Sequence, residues 1–513
     1  MSLLSAIAVT PRPGRRSGGS VPPPPDDDTG TGGGGSGGGG GGSGGAGEIH
    51  LFVVAGQSNA TGLARDDGGA VFPEGTLDFG PDGWGPVGSR LYHGPWEEDF
   101  TIMRPDPDAT FGFARQFAID HAAAHPGVTL AFVGVADGAT GFGDGHWNPG
   151  DGRYAAAVAR INAAMAARPA GAELKGILWM QGERDGTDGA WRAAYAEALA
   201  AFVPAFRADI DGADDTTPFV AGGLFRLGAR FQTGIQRVIQ SLPNTIAFTG
   251  YADPSVPAEP GAEPDGVHLA AVGQRQFGTA YLAAFGAARD NGALARTGSA
   301  SVGAVAYRDA GGSTSETIAA LDIGTPAPDR VVVVALHTRG SYNTRPLSVT
   351  LAGRPMHLVV GGSTGSNVAG VSLFHAHVPE GATADLELRY SASPRGDQHG
   401  VSAIAVYGTR LHPAGPRGWD AAGASSGTTL SMTVDVRAGD VVLGAATLLA
   451  APSPLGAVFD LSGPAAANDL GKNCAGVLAA EVVPADAAGR PVTVTSDVGV
   501  NSARAQVLVL RPT

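Results

Sequence analysis

Short apolar runs alternate with longer amphipathic or alanine-rich stretches between Glu48 and Arg289. A short run in which almost every residue is apolar is typical of a buried strand, and apolar residues three and four apart are typical of a helix. The predicted strands are Ile49 to Val54, Val128 to Val135, Leu174 to Met180, Pro218 to Leu224 and Thr245 to Phe248. The predicted helices are Phe111 to His125, Tyr154 to Arg168, Ala190 to Ile210, Phe231 to Leu242 and Ala270 to Phe285. This alternation predicts a parallel sheet with helices on both faces, which binds ligands beyond the carboxyl ends of its strands.

The pattern changes after Ala295, where short Val/Thr/Leu-rich runs are separated by Gly, Pro, Ser and Asp. Runs of this kind predict strands. They include Arg330 to His337, Leu347 to Leu351, Val371 to Val378, Ala384 to Tyr390, Val401 to Tyr407, Leu430 to Val436, Val441 to Ala445, Pro491 to Thr495 and Ala505 to Leu510. Residues 296–513 are therefore predicted to form an all-β sandwich or jelly roll, as one domain or two subdomains.

Residues 1–47 have a composition that differs from both of these regions. Four prolines, three aspartates and then a Gly/Ser run from Gly30 to Gly47 cannot bury apolar surface, so this stretch is predicted to be a disordered leader and linker. Its first 20 or so residues are either an attachment segment or a plain leader. The short apolar stretch near Met1 has no basic region before it, so no signal peptide is predicted. The segment Thr61 to Pro105, rich in Gly, Pro and Asp, is predicted to contain little regular structure and to be a substrate lid or disordered.

Composition limits the classes of function. A chain of 513 residues is too long for one ordinary core. Its formal net charge of −14 argues against nucleic acid as a partner, because binding to a phosphate backbone requires a basic surface. The single cysteine, Cys474, excludes an internal disulfide. No apolar segment approaches the roughly 20 residues that a membrane span requires.

The candidate chemistry begins at the end of the first predicted strand. The apolar run from Leu51 ends in Gly56-Gln-Ser58-Asn59, which predicts that a buried strand delivers the Ser58 hydroxyl to the open edge of the sheet. Downstream, Asp265-Gly-Val-His268 supplies a carboxylate and an imidazole. These are the groups that activate a serine nucleophile, in the order Ser, Asp, His.

Three sequence blocks resemble those of the SGNH hydrolase superfamily, in its branch of sialate O-acetylesterase-like and acetylxylan-esterase-like carbohydrate esterases. The blocks are Gly56-Gln-Ser-Asn59, Trp179-Met-Gln-Gly-Glu183 and Asp265-Gly-Val-His268, and Asp137-Gly-Ala-Thr-Gly-Phe142 is a partial fourth. The resemblance covers about residues 48–288. It implies a flavodoxin-like three-layer α/β/α fold for an esterase domain at 48–290, with no metal and no organic cofactor.

Residue roles follow from the chemistry of ester hydrolysis. His268 is predicted to take the proton of Ser58, and Asp265 to hold the other ring nitrogen. The oxyanion of the tetrahedral intermediate needs hydrogen-bond donors, for which the candidates are the backbone N–H groups of Ser58 and Gly138 and the side-chain amide of Gln181. In the related enzymes, the Gln181 block fills the place that Asn holds in other members of the superfamily.

Two further residues in the blocks have open roles. Asn59 either contacts the acyl group or caps the next turn, and Glu183 either orients Gln181 or the substrate or makes a structural hydrogen bond.

Two other sets of residues allow both a functional and a structural interpretation. His121 and His125 have the spacing of a zinc pair, but Ala122 stands where the Glu of a His-Glu-x-x-His motif belongs, so no zinc site is predicted. Trp84, Trp96 and Trp147 are either a sugar platform or local packing.

The sequence therefore predicts a serine esterase that removes O-acetyl groups from a glycan such as sialic acid, xylan or a bacterial surface polysaccharide, extracellular, on a cell surface or on a particle. The β-sandwich would bind glycan or mediate attachment. The alternatives are a surface or virion-type glycan-binding protein that uses the esterase fold for recognition, and a thioesterase or lipase of the same superfamily. Oligomeric state is left open.

Overall fold

The computed structural model describes residues 48–96, 110–226, 228–255, 260–292, 300–310, 313–340, 346–361, 368–390, 399–414, 418–450, 456–471 and 474–513. The predicted leader and linker at residues 1–47 lie outside the described residues, as does the end of the segment Thr61 to Pro105. Residues 48–292 are called the α/β region below, and residues 300–513 the β region.

The α/β region is built on a sheet with the strand order β4-β3-β6-β1-β7-β8-β9. All neighbouring strands are parallel except the β3–β4 hairpin at one edge. Its strands are β1 (Ile49–Gly56), β3 (Leu77–Gly80), β4 (Gly83–Pro86), β6 (Thr129–Gly134), β7 (Ala172–Met180), β8 (Phe219–Gly222) and β9 (Thr249–Ala252), with β2 (Ala64–Arg65) and β5 (Thr110–Phe111) paired separately. Strand β1 is apolar and buried along nearly its whole length, because a central parallel strand is covered on both faces.

Helices cover both faces of this sheet. They are α1 (Ser58–Thr61), α2 (Phe113–Ala124), α3 (Gly152–Ala166), α4 (Gly189–Asp209), α5 (Thr233–Ser241) and α6 (Ala271–Asp290), with 3-10 turns at Gly94–Trp96, Asp185–Thr187 and Leu242–Asn244. Helices α2 and α6 pack together, with the rings of Phe113 and Tyr281 stacked at 4.1 Å. The ring of Phe202 on α4 lies 4.5 Å from that of Trp179 on β7. The predicted three-layer α/β/α fold is confirmed. No helix in the described ranges is long and apolar enough to cross a bilayer.

Two local predictions differ from the structure. The strand predicted at Thr245 to Phe248 lies four residues later, as β9, because the amides of Thr245 and Ile246 bond back to the Leu242 carbonyl and close a turn. The described part of Thr61 to Pro105 contains the β3–β4 hairpin, although its sequence indicated little regular structure. Pairing of Leu77 with Ala131 of β6 holds this hairpin, a tertiary contact that outweighs the weak strand propensity of its glycines and prolines.

The β region consists of antiparallel strands in two pairs of sheets, which confirms the predicted all-β fold. The inner sheets have the orders β10-β18-β12-β16-β15 and β19-β27-β22-β25-β24, with β20 also pairing with β27, and the outer sheets have the orders β11-β17-β13-β14 and β21-β26-β23. The strands are β10 (Ser301–Ala310), β11 (Ser315–Asp322), β12 (Val331–Gly340), β13 (Ser348–Leu351), β14 (Arg354–Pro355), β15 (His357–Gly361), β16 (Val368–His377), β17 (Thr383–Arg389), β18 (His399–Tyr407), β19 (Thr409–Pro413), β20 (Trp419–Ala424), β21 (Thr429–Val436), β22 (Val441–Leu449), β23 (Val458–Phe459), β24 (Ala465–Gly471), β25 (Cys474–Val482), β26 (Ala487–Thr495) and β27 (Ser502–Pro512).

The sheets of the β region stack in four layers because the two inner sheets are apolar on both faces. On β12, Val332 and Val334 belong to the core shared with the first outer sheet, whereas Val331 and Val333 face the second inner sheet. Alternate side chains of a strand point to opposite faces, so a strand with two buried faces must be apolar at successive positions. This explains the continuous valine run of β12.

Candidate active site

Ser58 lies at the carboxyl end of the central strand β1. Gly56 ends that strand with φ +124°, and a Cβ atom there would lie 1.9 Å from the carbonyl oxygen of Met180, so only glycine fits. The amide of Gln57 donates to the same oxygen at 2.7 Å, and the chain then turns into α1 at Ser58. Ser58 is 6% exposed. Its backbone N–H has no acceptor among the described residues.

The turn formed by residues 265–268, called the Asp265–His268 turn below, holds an imidazole against a carboxylate. Asp265 Oδ1 accepts hydrogen bonds from the amides of Val267 (2.9 Å) and His268 (3.0 Å), and Asp265 Oδ2 lies 2.7 Å from His268 Nδ1. A carboxylate can only accept, so Nδ1 carries the proton and Nε2 of the neutral ring has a free lone pair. Partial burial acts to raise the pKa of Asp265, but these hydrogen bonds outweigh it and lower the pKa to about 2.

Asn59 joins the Ser58 turn to the Asp265–His268 turn. Its side-chain amide donates to the carbonyl oxygen of Val267 at 3.4 Å and accepts from the amide of Leu269 at 3.0 Å. The residues on both sides of His268 are therefore bonded to the residue that follows Ser58, across 208 and 210 positions of sequence. Within the described residues, no hydrogen bond joins the Ser58 hydroxyl to His268, and such catalytic bonds often tighten only when substrate binds.

Glu183 is the partner of Asn59, and not of Gln181. Its Oε1 accepts from Asn59 Nδ2 at 2.7 Å. Asn59 is completely buried, which leaves no surface for the acyl contact considered from the sequence. Burial raises the pKa of Glu183, while the hydrogen bond from Asn59 acts in the opposite direction. Glu183 therefore holds the side chain of Asn59, which in turn bonds to the backbone beside His268.

Gln181 is also completely buried, and its side-chain amide nitrogen is already in use. Gln181 Nε2 lies 2.6 Å from Asp185 Oδ2, 3.1 Å from the carbonyl oxygen of Thr140 and 3.3 Å from Gln57 Oε1. The sequence predicts this amide as an oxyanion donor, whereas in the structure its two N–H groups face protein acceptors. The amide ties the end of β7 to the loop that carries Gly138.

The loop after β6 contains Gly138, which is half-buried and whose backbone N–H has no acceptor among the described residues. Asp185 anchors this loop by accepting hydrogen bonds from the amides of Phe142 (3.0 Å) and Gly143 (2.7 Å). Trp147 is completely buried and donates from Nε1 to the Thr140 hydroxyl at 2.8 Å, so it packs the loop and offers no sugar platform.

Arg184, a half-exposed residue beside this site, was not predicted from the sequence. Arg184 has its backbone amide 3.2 Å from Gln57 Oε1, its side chain bonded to Asp144 at 2.7 Å and its guanidinium 5.1 Å from the ring centre of Trp191. The signal available was the position of Arg184 directly after the Trp179–Glu183 block. Gln57 lies inside a quoted block, yet its role as an acceptor for Gln181 could not be inferred without the fold.

His121 bonds through Nε2 to His50 Nδ1 at 2.8 Å, and the ring of His125 lies 4.4 Å from that of His121. Among the described residues, no group of three or more His, Cys, Asp or Glu side chains is arranged to hold a metal ion.

The sequence profile of a family described as carbohydrate esterase, sialic acid-specific acetylesterase, matches residues 48–287. The α/β region of this chain is similar to that family. Its recognition as an SGNH-type carbohydrate esterase is thereby confirmed, and the protein is a carboxylic ester hydrolase. No curated protein sequence matches the chain.

Three solved structures are similar to this chain. A protein from Arabidopsis thaliana has 20% identity, with 46% of this chain and 98% of the other covered and a TM-score of 0.35. NanS has 17% identity, with 46% and 96% covered and a TM-score of 0.36. XAC1771, a carbohydrate acetylesterase from Xanthomonas citri, has 17% identity, with 68% and 79% covered and a TM-score of 0.33.

Proposed function

We propose that the esterase domain removes O-acetyl groups from a carbohydrate through an acetyl-enzyme formed on Ser58. The observation that carries this proposal is the bonding of Asn59 to the backbone on both sides of His268, while Asp265 orients the His268 ring. These contacts support a pairing of the Ser58 hydroxyl with the His268 imidazole as its base. A hydroxyl with an oriented base beside it is the arrangement that nucleophilic catalysis requires.

The reaction has two steps. In the first, Ser58 Oγ bonds to the acetyl carbonyl carbon while its proton passes to His268 Nε2. The bond from that carbon to the sugar oxygen then breaks, and the sugar oxygen takes the proton from His268. In the second step, water attacks the acetyl-enzyme and gives a proton to His268, which returns it to Ser58 Oγ as acetate leaves. Asp265 stabilises the imidazolium in both steps.

The oxyanion donors in this proposal are the backbone N–H groups of Ser58 and Gly138. Both lack acceptors among the described residues, and both lie in the segments that follow two adjacent parallel strands, β1 and β6, at the same sheet edge. We assign Gln181 the task of holding the Gly138 loop, because its amide is bonded to the Thr140 carbonyl and to Asp185. A donor fixed before substrate arrives needs no reorganisation when charge develops.

The substrate class is an O-acetylated saccharide. The family description names sialic acid, which supports a sialate ester, and xylan or a bacterial surface polysaccharide carries the same acetyl ester. The deciding experiment is a panel of these acetylated glycans scored by acetate release, run beside aryl esters of acetate and of long acyl chains. We expect acetate release from at least one glycan. Turnover of long acyl esters without acetate release from any glycan would indicate a lipase or thioesterase instead, and binding of a glycan without any turnover would indicate a recognition module.

Asn59 is proposed as a positioning residue for the Asp265–His268 turn. Replacing it by alanine removes both bonds to the backbone beside His268, and displacement of a catalytic group by about 1 Å costs on the order of 10²-fold in rate. We therefore expect Asn59→Ala to lower kcat by roughly 10-fold to 100-fold with a smaller change in KM. The measurement is steady-state hydrolysis of p-nitrophenyl acetate.

The matched control for Asn59→Ala is Asn291→Ala. Asn291 Nδ2 donates to the carbonyl oxygens of Pro243 (2.6 Å) and Thr249 (3.1 Å), so this variant also loses an amide bonded to the backbone. Asn291 follows the far end of α6, about 30 Å of helix from the site. Equal losses of kcat in the two variants would contradict a specific role for Asn59.

A further inference from the structure

Strand β15 of the β region completes a buried ion pair in the esterase domain. Arg226 Nη2 lies 3.3 Å from Asp253 Oδ2, and both side chains are almost completely buried. The same guanidinium donates to the carbonyl oxygens of Leu358 at 2.5 Å and Val359 at 3.3 Å. His357 Nδ1 lies 3.5 Å from Asp253 Oδ2. One short strand of the β region thus contacts both members of the pair.

Arg226 and Asp253 lie at the carboxyl edge of the sheet, the edge at which Ser58 also lies. Arg226 follows β8 and Asp253 follows β9, each just beyond the carboxyl end of its strand, as Ser58 is beyond β1. Asp253 is also the residue at which the chain leaves β9 on its way to the Asp265–His268 turn, and its Oδ1 accepts from the amide of Ser255 at 2.9 Å.

The chain near Arg226 also contacts the Asp265–His268 turn itself. Three residues after Arg226, the amide of Ala229 donates to the carbonyl oxygen of Gly266 at 2.8 Å. Gly266 lies inside the Asp265–His268 turn. The chain around Arg226 therefore holds the turn directly through Ala229, and it holds the start of the path to the turn through Asp253.

A buried guanidinium needs an acceptor for each of its donors, and its planar fork suits carbonyl and carboxylate oxygens in fixed directions. Arg226 Nη2 donates to Asp253 and to the Leu358 carbonyl, and Nη1 donates to the Val359 carbonyl. Burial acts to raise the pKa of Asp253, but Arg226 and His357 outweigh it and lower the pKa. The carboxylate is therefore charged, and a buried charged pair is stable only with these partners in place.

We propose that the β region is a positioning element for catalysis: β15 fixes Arg226, and Arg226 fixes the Asp265–His268 turn. The inference rests on the proposed roles of Asp265 and His268. It assigns the β region a task in the esterase domain itself, apart from the glycan binding or attachment expected from the sequence. Arg226 acts through other residues and touches no substrate in this scheme.

The test compares Arg226→Met and Arg226→Lys with the control Arg237→Met in the full chain. Arg237 also joins the two regions, because its Nη2 lies 2.7 Å from Asp420 Oδ1 and its guanidinium lies 4.3 Å from the ring centre of Trp419. It has no contact with the path from Asp253 to His268 among the described residues. The control therefore weakens the same interface and removes none of the direct contacts of Arg226.

Two measurements report the effect. The first is hydrogen exchange in a peptide spanning residues 260–270, where the amides of Glu263 and Ala270 are bonded to the His268 and Gly261 carbonyls. The second is kcat and KM for p-nitrophenyl acetate, a probe too small to need a glycan site. For Arg226→Met we expect exchange at least 10-fold faster and kcat at least 10-fold lower, with KM within threefold. Arg226→Lys keeps the positive charge but lacks the planar fork of the guanidinium. Its exchange rate and its kcat should therefore lie between those of the wild type and of Arg226→Met. Arg237→Met should stay within twofold in both measurements.

Unchanged exchange and kcat in folded Arg226→Met and Arg226→Lys would overturn the inference, as would equal changes in Arg237→Met. If Arg226→Met does not fold, Arg226→Lys and His357→Gln decide, because each weakens one contact and keeps the others. Failure of the proposed function would look different. The wild-type protein would then show no turnover that depends on Ser58, whereas exchange would still report whether Arg226 holds the turn.

Discussion

Replacing Ser58 with alanine is expected to lower kcat/KM for acetyl esters by at least about 10³-fold. The variant keeps Asn59, the oriented imidazole and the backbone donors, but it has no oxygen to form the acetyl-enzyme. What remains is attack by water assisted by binding and oxyanion stabilisation, which supports only a small residual rate. The measurement is initial-rate hydrolysis of p-nitrophenyl acetate and acetate release from the acetylated glycan that the wild-type protein hydrolyses best.

Two serine controls separate loss of the nucleophile from loss of a hydroxyl. Ser241 is completely buried and its hydroxyl bonds to the Val238 carbonyl, so Ser241→Ala tests the effect of an equally buried deletion. Ser425 occupies a literal Gly-x-Ser-x-Gly pattern at Gly423 to Gly427 in the β region. Both variants should retain wild-type kcat/KM within about twofold, because neither lies at the sheet edge near His268. A Ser58→Ala protein with more than a tenth of wild-type turnover would exclude Ser58 as the nucleophile.

The fold of the esterase domain could be predicted because its central strands carry a local signal. Strand β6 and the second halves of β1 and β7 are continuous apolar runs, as expected for parallel strands that are covered on both faces. The carboxyl ends of such strands meet at one edge, so Ser58 and Gly138 follow adjacent strands without any knowledge of tertiary contacts. The order of the three sequence blocks then indicated that His268, more than two hundred residues downstream of Ser58, belongs to the same site.

The partners of the buried polar residues could not be predicted. Asn59, Gln181 and Glu183 all lie in recognised blocks, but a sequence does not say which amide bonds to which carboxylate. The structure pairs Asn59 with Glu183 and Gln181 with Asp185, across 124 and four positions of sequence respectively. These pairings depend on how the ends of β1 and β7 approach each other, which is a property of the folded sheet.

Strands without an alternating pattern were also missed in the β region. Strand β25, Cys-Ala-Gly-Val-Leu-Ala-Ala-Glu-Val, is rich in alanine, which indicates a helix as readily as a strand. It is a strand because Val477 contributes to the core of the second sandwich while Leu478 faces the first inner sheet. Arg226 was missed for a related reason: its partners Leu358 and Val359 lie more than a hundred residues away.

Replacing Asp265 with asparagine is expected to lower kcat by roughly 10²-fold to 10⁴-fold. The Asn side chain can still accept hydrogen bonds from the Val267 and His268 amides, so the turn should persist. Its NH₂ group, however, donates to His268 Nδ1 where the carboxylate accepted. The neutral ring then carries its proton on Nε2, the nitrogen that must receive the proton of Ser58. The measurement is kcat for p-nitrophenyl acetate at neutral pH.

Asp214→Asn is the matched control for this substitution. Asp214 Oδ1 accepts from the amide of Thr216 at 2.8 Å, so it closes a turn as Asp265 does, and neighbouring hydrogen bonds likewise lower its pKa. No imidazole is bonded to it among the described residues. Its kcat should equal that of the wild-type protein within about twofold. A comparable loss of kcat in the two variants would mean that turn geometry, and not the tautomer of His268, explains the effect.

The pH dependence of stability gives an independent check on the Asp265–His268 contact. Because the pKa of Asp265 falls from 3.8 to about 2 in the folded protein, the folded state binds fewer protons than the unfolded state between these values. Its contribution to stability is therefore complete above about pH 4 and is lost as the pH falls toward 2. The difference in free energy of unfolding between wild type and Asp265→Asn should shrink over that window. A difference that stays constant across it would show that Asp265 is not held as a charged partner of His268, and the proposed orientation of the ring would lose its basis.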